Sequence, residues 1–247
     1  MEKDVYYSIA EMEKTFWWYV GLHELVLKTL KKFYPQKNLN ILDAGCGTGR
    51  MLELLNKNNN TLEGIDYSED AVIISKRKGL LNVKNVNLNT WNANEDKYDI
   101  IICLDVIYHS GIKNDIDIIR KFYSAMNENS LLILNNPAFN ILKRPHDIVV
   151  STKRRYRKSA LVKIIEAIGF DVDVATYRLP FLFIFISIKK LLDKIFSPAK
   201  MESDLVSLPN WLNNLMLIIN RLENKLILSG ISMPFGSSLF IVAKKQN

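Results

Sequence analysis

Short apolar runs alternate along this chain with segments in which apolar residues recur every three or four positions. The runs at 39–44, 61–66, 98–105 and 130–135 read as strands, the third a near-continuous β-branched stretch of the kind buried on both faces. The segments at 50–57, 69–78, 114–126 and 159–168 read as helices, the last stopped by Gly169. Further strands are expected at 86–89, 172–177 and 238–243. Alternation of this kind argues an α/β fold with a parallel, doubly wound sheet and helices on both faces. Ahead of it, 9–33 reads as one helix with Phe16-Trp17-Trp18-Tyr19 at its centre, followed by a polar break at 35–38. Two stretches exceed a minimal domain, 135–158 and 179–235. In the second, Leu215, Ile218, Ile219, Leu222 and Leu226 share one face of a helix at 211–228. The expected organisation is an N-terminal helical lid (1–38), a core (39–178 and 236–247) and a helical insertion (179–235) within the same domain. Additions of this sort usually recognise the substrate while the core serves a shared chemistry.

The end of the first strand carries the most chemistry: Ile41-Leu42-Asp43-Ala44-Gly45-Cys46-Gly47-Thr48-Gly49-Arg50. Glycines there let the backbone pass close beneath a ligand and turn sharply into a helix. The spacing is G-x-G-x-G, one residue shorter than the G-x-G-x-x-G of dinucleotide sites. Asp43, two residues before the first glycine, would repel a pyrophosphate and suits a ligand that carries an ammonium. About twenty residues on, the strand Thr61-Leu62-Glu63-Gly64-Ile65-Asp66 also ends in an acid, placed to accept both hydroxyls of a ribose. The third strand runs out through Cys103-Leu104-Asp105-Val106-Ile107-Tyr108-His109.

These three motifs, in this order, resemble class I S-adenosylmethionine-dependent methyltransferases. The resemblance implies a Rossmann-like, seven-stranded, mostly parallel sheet whose last strand is antiparallel between its neighbours. It also implies S-adenosylmethionine as the methyl donor, released as S-adenosylhomocysteine. The expected cofactor residues are Asp43, Ala44, Gly45, Cys46, Gly47 and Gly49 in the turn, Asp66 on the ribose, and Tyr67 on the adenine. Thr90 and Trp91 lie where the family contacts adenine, Leu104 ends the central strand, and Trp18 belongs to the lid. The segment His146-Asp147, followed by Arg154-Arg155-Tyr156, resembles a bacterial subgroup associated with cell-surface polysaccharide and lipid-linked glycan synthesis. Phe16-Trp17-Trp18-Tyr19 and Pro234-Phe235-Gly236-Ser237-Ser238 belong to the same resemblance. The subgroup's arginine just after the aromatic cluster is missing here, where Gly21-Leu22-His23 stands.

Methyl transfer is an in-line displacement, so the protein must hold donor and acceptor about 3 Å apart and, for a hydroxyl acceptor, remove a proton. His109 and His146 are the candidate bases; the alternative is that both merely hydrogen-bond loop backbone. His23 reads as surface or packing. Tyr108, His146, Asp147, Arg154, Arg155 and Tyr156 are the candidate acceptor-binding residues. Paired arginines suit a phosphate or carboxylate by bidentate bonding. No ligand cluster has metal-binding spacing, so no metal is expected. The expected reaction is methylation, at oxygen, of a small molecule, a sugar or a lipid-linked glycan.

Composition narrows the partners only a little. The 247 residues carry a formal charge of +7, which permits nucleic acid, an anionic membrane surface or a phosphorylated substrate. Related enzymes that methylate base amino groups carry Asn/Asp-Pro-Pro-aromatic after the central strand. Asp105-Val106-Ile107-Tyr108 stands there instead, which disfavours RNA. A non-catalytic, cofactor-binding partner of a glycosyltransferase is the other alternative. Cys46 and Cys103 both lie inside ligand motifs, which argues against a disulfide framework and for a reducing, cytoplasmic location. Residues 1–14 lack a secretory pattern, and the longest apolar run, 179–188, is well short of the ~20 residues that span a bilayer. That run, beside Lys189, Lys190 and Lys194, suits monotopic seating on the inner face of a membrane or a groove for a lipid chain. Packing on the sheet or a homodimer contact are the competing uses.

Overall fold

The computed structural model describes residues 3–36, 38–56, 59–92, 97–143, 146–149, 151–196 and 208–246. In chain order the elements are α1 (Lys3–Met12), α2 (Trp17–Phe33), β1 (Asn40–Ala44), α3 (Arg50–Leu55), β2 (Thr61–Asp66), α4 (Glu69–Arg77) and β3 (Val83–Asn85). There follow β4 (Tyr98–Leu104), α5 (Asp115–Ala125), β5 (Met126–Pro137), α6 (His146–Val149), α7 (Lys158–Ile168) and β6 (Phe170–Arg178). The last elements are α8 (Pro180–Phe196), α9 (Asn210–Leu228) and β7 (Ser238–Lys245).

The strands form one sheet in the order β3-β2-β1-β4-β5-β7-β6. All pairings are parallel except those of β7, which runs antiparallel to both β5 and β6. The chain leaves β1 for β2 on one side and returns to β4 on the other. Open α/β sheets bind ligands at such a reversal, outside the carboxyl ends of the strands.

Side chains alternate between the two faces of β4, and both faces are covered, which explains its unbroken apolar run. Ile101 and Cys103 pack with Ile118, Phe122, Leu161 and Ile165 of α5 and α7. Ile100 and Ile102 pack with Leu22, Leu25, Val26 and Leu30 of α2, joined by Ile227 of α9. Gly169, in the left-handed region, ends α7, as expected.

Three expectations need correction. The N-terminal segment is two helices, not one. The backbone N–H of Trp17 donates to Asn213 Oδ1 at 2.9 Å, so the start of α2 is capped by a side chain of α9. Phe16 to Tyr19 therefore open a helix instead of sitting at its centre. The expected lid also divides: α2 is a core layer against the sheet, and only α1 lies over α4 and the glycine turn. The third strand is Val83–Asn85, because Asn87 turns the chain at once by accepting the N–H of Asn89 on its side chain.

The insertion joins this second layer. Asn224 donates to the Gly21 carbonyl at 2.8 Å, and Arg221 pairs with Glu24 at 2.6 Å. A Cβ on Gly21 would stand 2.2 Å from the Asn220 amide, so α2 and α9 approach more closely than a side chain permits.

Candidate active site

Gly45 and Gly47 adopt φ of +83° and +54° just beyond β1. A Cβ on Gly45 would lie 2.2 Å from Val106, whereas one on Gly47 would meet nothing within 4 Å. The first glycine therefore permits the turn to pack, and the second leaves open space beside the backbone. Gly45 and Cys46 both donate to the Ile65 carbonyl, which ties the turn to the end of β2.

Two carboxylates flank this turn. Asp43 is almost completely buried, and no described residue donates a hydrogen bond to its side chain. Burial, then the charges of Asp66 and Glu13, push its pKa up to about 8. Asp66 accepts the N–H of Gly47 at 2.9 Å and that of Ser68 at 2.8 Å, one on each oxygen. Burial raises its pKa while these two hydrogen bonds oppose the rise. Each oxygen retains a lone pair for a further donor. Tyr67, next in the chain, is 76% exposed, an uncovered ring beside Asp66.

A third carboxylate latches α1 to the turn. Glu13 is buried and accepts from the Thr48 hydroxyl, and Lys78 binds the same carboxylate at 2.8 Å while donating to the Thr48 carbonyl. Asp43, Asp66 and Glu13 gather three acidic groups at this end of the crevice, Glu13 paired with Lys78 and Asp43 holding its proton until a cation binds. The donor set suits a cation with vicinal hydroxyls and repels a phosphate. The residues present thus fit S-adenosylmethionine.

The other wall begins at Asp105, immediately after β4. It has φ +57°, a strained value for a residue with a side chain. Asn135 donates to its carboxylate at 2.9 Å. Burial pushes its pKa up to about 7, against the opposing pull of Asn135 and of the Arg178 guanidinium. The hydroxyls of Tyr19 and Tyr108 share this environment: burial first, then the Asp105 charge, raises both. Beyond them Phe139 stacks on Tyr177 with centroids 4.5 Å apart, and Phe183 meets both Phe139 and Phe235.

Residues 19–174 match the family described as a methyltransferase domain. The chain belongs to this family. A ubiquinone biosynthesis O-methyltransferase of Hydrogenovibrio crunogenus is 32% identical to this methyltransferase over 107 residues, 38% of the chain and 44% of the relative. The Coxiella burnetii protein of the same name is 27% identical over 117 residues, 42% of the chain and 50% of the relative. The chain thus spans about half the length of the curated relatives it matches. The fold recurs in the plantazolicin methyltransferase BpumL, solved in complex with SAH: TM-score 0.63, 16% identity, 99% of this chain and 89% of that one. A methyltransferase of Mesorhizobium loti shares it with TM-score 0.61 and 12% identity over 88% and 96% of the two chains.

The chain brings Asp43, Ala44, Gly45, Cys46, Gly47, Gly49, Asp66 and Tyr67 together at one end of the crevice. Leu104 and Trp18 are half-buried against the α2 side of the core, and it is the neighbouring Tyr19 that faces Asp105. Trp91 does not line the turn: its ring is buried against Phe122, 5.9 Å between centroids, and Thr90 spends its hydroxyl on the Asn87 carbonyl.

The arginine pair is a second correction. Arg155 binds Asp147 at 2.7 Å with both side chains buried, and also donates to the Ala138 carbonyl. Arg154 lies 3.5 Å from Asp115 and donates to the Ile107 carbonyl. Tyr156 gives its hydroxyl proton to Asp115 at 2.6 Å. These residues tie Asp147 and 154–156 to the segments that follow β4 and β5 and, among the described residues, leave neither arginine a bidentate fork for an acceptor. His109 accepts the Gly111 N–H on Nδ1 at 3.0 Å and feels the Asp66 charge, so it lies toward that carboxylate. His146 opens α6, but its side chain lies outside the described residues. His23 is buried packing, its pKa lowered to about 4 chiefly by desolvation. Among the described residues no His, Cys, Asp and Glu cluster could hold a metal ion.

Asp105 is the buried carboxyl of this crevice that the sequence motifs do not single out. The available signal was an acid at the first position beyond a strand buried on both faces, where ligands collect in this architecture.

Proposed function

We propose that this protein is an S-adenosylmethionine-dependent methyltransferase that methylates a hydroxyl oxygen, with Asp105 as the proton acceptor. The observation that carries the reading is the pair of desolvated carboxylates, Asp43 and Asp66, on either side of the glycine turn. When bound, the donor supplies a methyl carbon made electrophilic by its sulfonium. Asp66 would take the two ribose hydroxyls on its free lone pairs. Asp43 would hold the α-ammonium, Gly47 would let the chain pass beneath the ligand, and Tyr67 would offer its ring to the adenine. The acceptor hydroxyl reaches Asp105, whose pKa of about 7 suits proton transfer in the neutral range. Asp105 would take the proton that the acceptor hydroxyl gives up on methylation, while the bound donor would supply the methyl group and keep the carbon–sulfur electron pair on its sulfur. An oxygen acceptor is supported by the relatives' name, O-methyltransferase.

The acceptor is a lipid-linked molecule, which the insertion supports. Trp211, Leu215, Ile218, Leu222 and Leu226 are all exposed on one face of α9, and Ile184, Phe185 and Ile188 are exposed on α8. A stripe of this kind, in a chain of net charge +7, suits the surface of an anionic membrane. No helix among the described residues is long and apolar enough to cross one. The 146–156 and 234–238 motifs support a glycan on that lipid.

The test is incubation with methyl-labelled S-adenosylmethionine and separate aqueous and lipid extracts of the source cell. Label should enter the lipid fraction. Asp66→Ala should weaken calorimetric binding of the donor at least about a hundredfold, since two hydrogen bonds to a charge contribute about 1.5–3 kcal/mol each. Asp105→Asn should bind the donor and transfer no methyl group. Absence of saturable donor binding by the wild-type chain defeats the reading; label confined to the aqueous fraction removes its lipid part.

A further inference from the structure

Arg178 ends β6 with no exposed surface at all. Among the described residues only its Nη2 has a hydrogen-bond partner, Asn220 Oδ1 at 3.2 Å; Nε and Nη1 have none. A buried cation so poorly solvated costs several kcal/mol unless opposite charge lies close by. Two carboxylates face it. Glu223 of α9 accepts the Leu179 N–H on Oε1 at 2.9 Å and keeps Oε2 without a hydrogen bond. Asp105 is the second.

The guanidinium makes no ion pair within 4 Å among the described residues, and the sheet register sets Arg178 on the same face as the Asn135 that binds Asp105. Asn135, which donates to Asp105, stands opposite Phe240, which stands opposite Thr176. Two residues beyond Thr176, Arg178 projects from the same face of the sheet. Asp105 is thus approached by Asn135 from β5, Arg178 from β6, Tyr19 from α2, and Tyr108 and Cys103 from its own segment. Arg178 is the one cation among these neighbours. His23, which also faces Arg178, stays neutral above pH 4 or so and adds no competing charge in the neutral range.

We infer that Arg178 is a positioning residue for the Asp105 base, its buried guanidinium, gripped from α9 by Asn220, keeping that carboxylate ionised beside the acceptor, so that the insertion governs proton removal. This rests on the assignment of Asp105 given above. A carboxylate in so dry a place holds its proton unless hydrogen bonds and positive charge favour the ion. Asn135 supplies the hydrogen bond, and Arg178 supplies the charge. Glu223 competes for the same guanidinium, so a shift of α9 that brings the two together would weaken the base.

The experiment reads the titration directly, by 13C NMR of protein labelled on the aspartate carboxyls, with the Asp105 signal assigned through Asp105→Asn. Arg178→Met should raise the midpoint by about one pH unit or more, which leaves about a tenth as much of the ionised base at a pH below both midpoints. Arg178→Lys should keep the wild-type midpoint. Asn220→Asp, which neutralises the guanidinium without removing it, should raise the midpoint and serves if Arg178→Met does not fold. Binding of S-adenosylhomocysteine should be unchanged in all three. An unmoved midpoint in Arg178→Met, or in Asn220→Asp where the former does not fold, overturns the inference, because a merely structural arginine would change thermal stability alone. The two readings fail separately: wild-type methyl incorporation by Asp105→Asn would discard the base, whatever the midpoints do.

Discussion

Replacing Asp43 by Asn should make the protein more stable and less able to bind its donor. Asp43 is 3% exposed, and its pKa rises from 3.8 to about 8 on folding. A carboxyl whose folded pKa is raised stabilises the fold fully below the unfolded pKa, and that contribution is lost as pH rises through the folded one. Between pH 3.8 and 7 the unfolded chain ionises while the folded one keeps its proton. At about 1.4 kcal/mol per pH unit, folding of the ligand-free protein forfeits about 4 kcal/mol by pH 7. Asn has no proton to lose. Asp43→Asn should therefore gain up to about 4 kcal/mol over wild type at pH 7 and about nothing at pH 3.5. Urea unfolding of both proteins, without ligand, at several pH values measures the difference. The same balance predicts that binding a cationic donor at pH 7 expels most of a proton, because the ligand requires the ionised carboxylate. Calorimetry in two buffers of different ionisation enthalpy counts it. An unchanged or lowered stability for Asp43→Asn at pH 7, with no proton released by the wild type, would refute the reasoning.

Arg155→Met should cost about 3–5 kcal/mol of stability, as breaking a buried ion pair does, and protease should then cut the 146–157 loop. A raised acceptor KM with unaltered melting temperature would instead restore the arginine as an acceptor ligand. Glu13→Ala cuts α1 from the glycine turn. Charge-assisted hydrogen bonds contribute about 1.5–3 kcal/mol, so the melting temperature should fall and the donor should dissociate about tenfold faster or more in stopped-flow fluorescence; an unchanged dissociation rate would show that α1 does not hold the turn.

The cofactor end of the crevice was readable because it is local. Asp43, the glycines and the strand that feeds them lie within ten residues, and backbone strain at Gly45 has few sequence solutions. Asp66 was readable because the strand pattern sets its register. What escaped depends on partners far away in the chain. The break between α1 and α2 contains neither Gly nor Pro and is set by Asn213, 196 residues on. Arg154 and Arg155 looked free because their carboxylates, Asp115 and Asp147, are met only when the loop folds back. Trp91 was assigned to the ligand by its place after the third strand, but its ring fills the space beside Phe122. Arg178 gave no signal at all, since nothing in its neighbourhood marks it as a charge that ends up without water.

The seam between α2 and α9 has a consequence for the order of assembly. Its hydrogen bonds, Trp17 to Asn213 and Gly21 to Asn224, span 196 and 203 residues. On a ribosome, α2 emerges and waits, its inner face without a cap, until α9 has been synthesised some 196 residues later. Loops that long close slowly. Nascent chains truncated before residue 213 should thus expose this surface and invite chaperones.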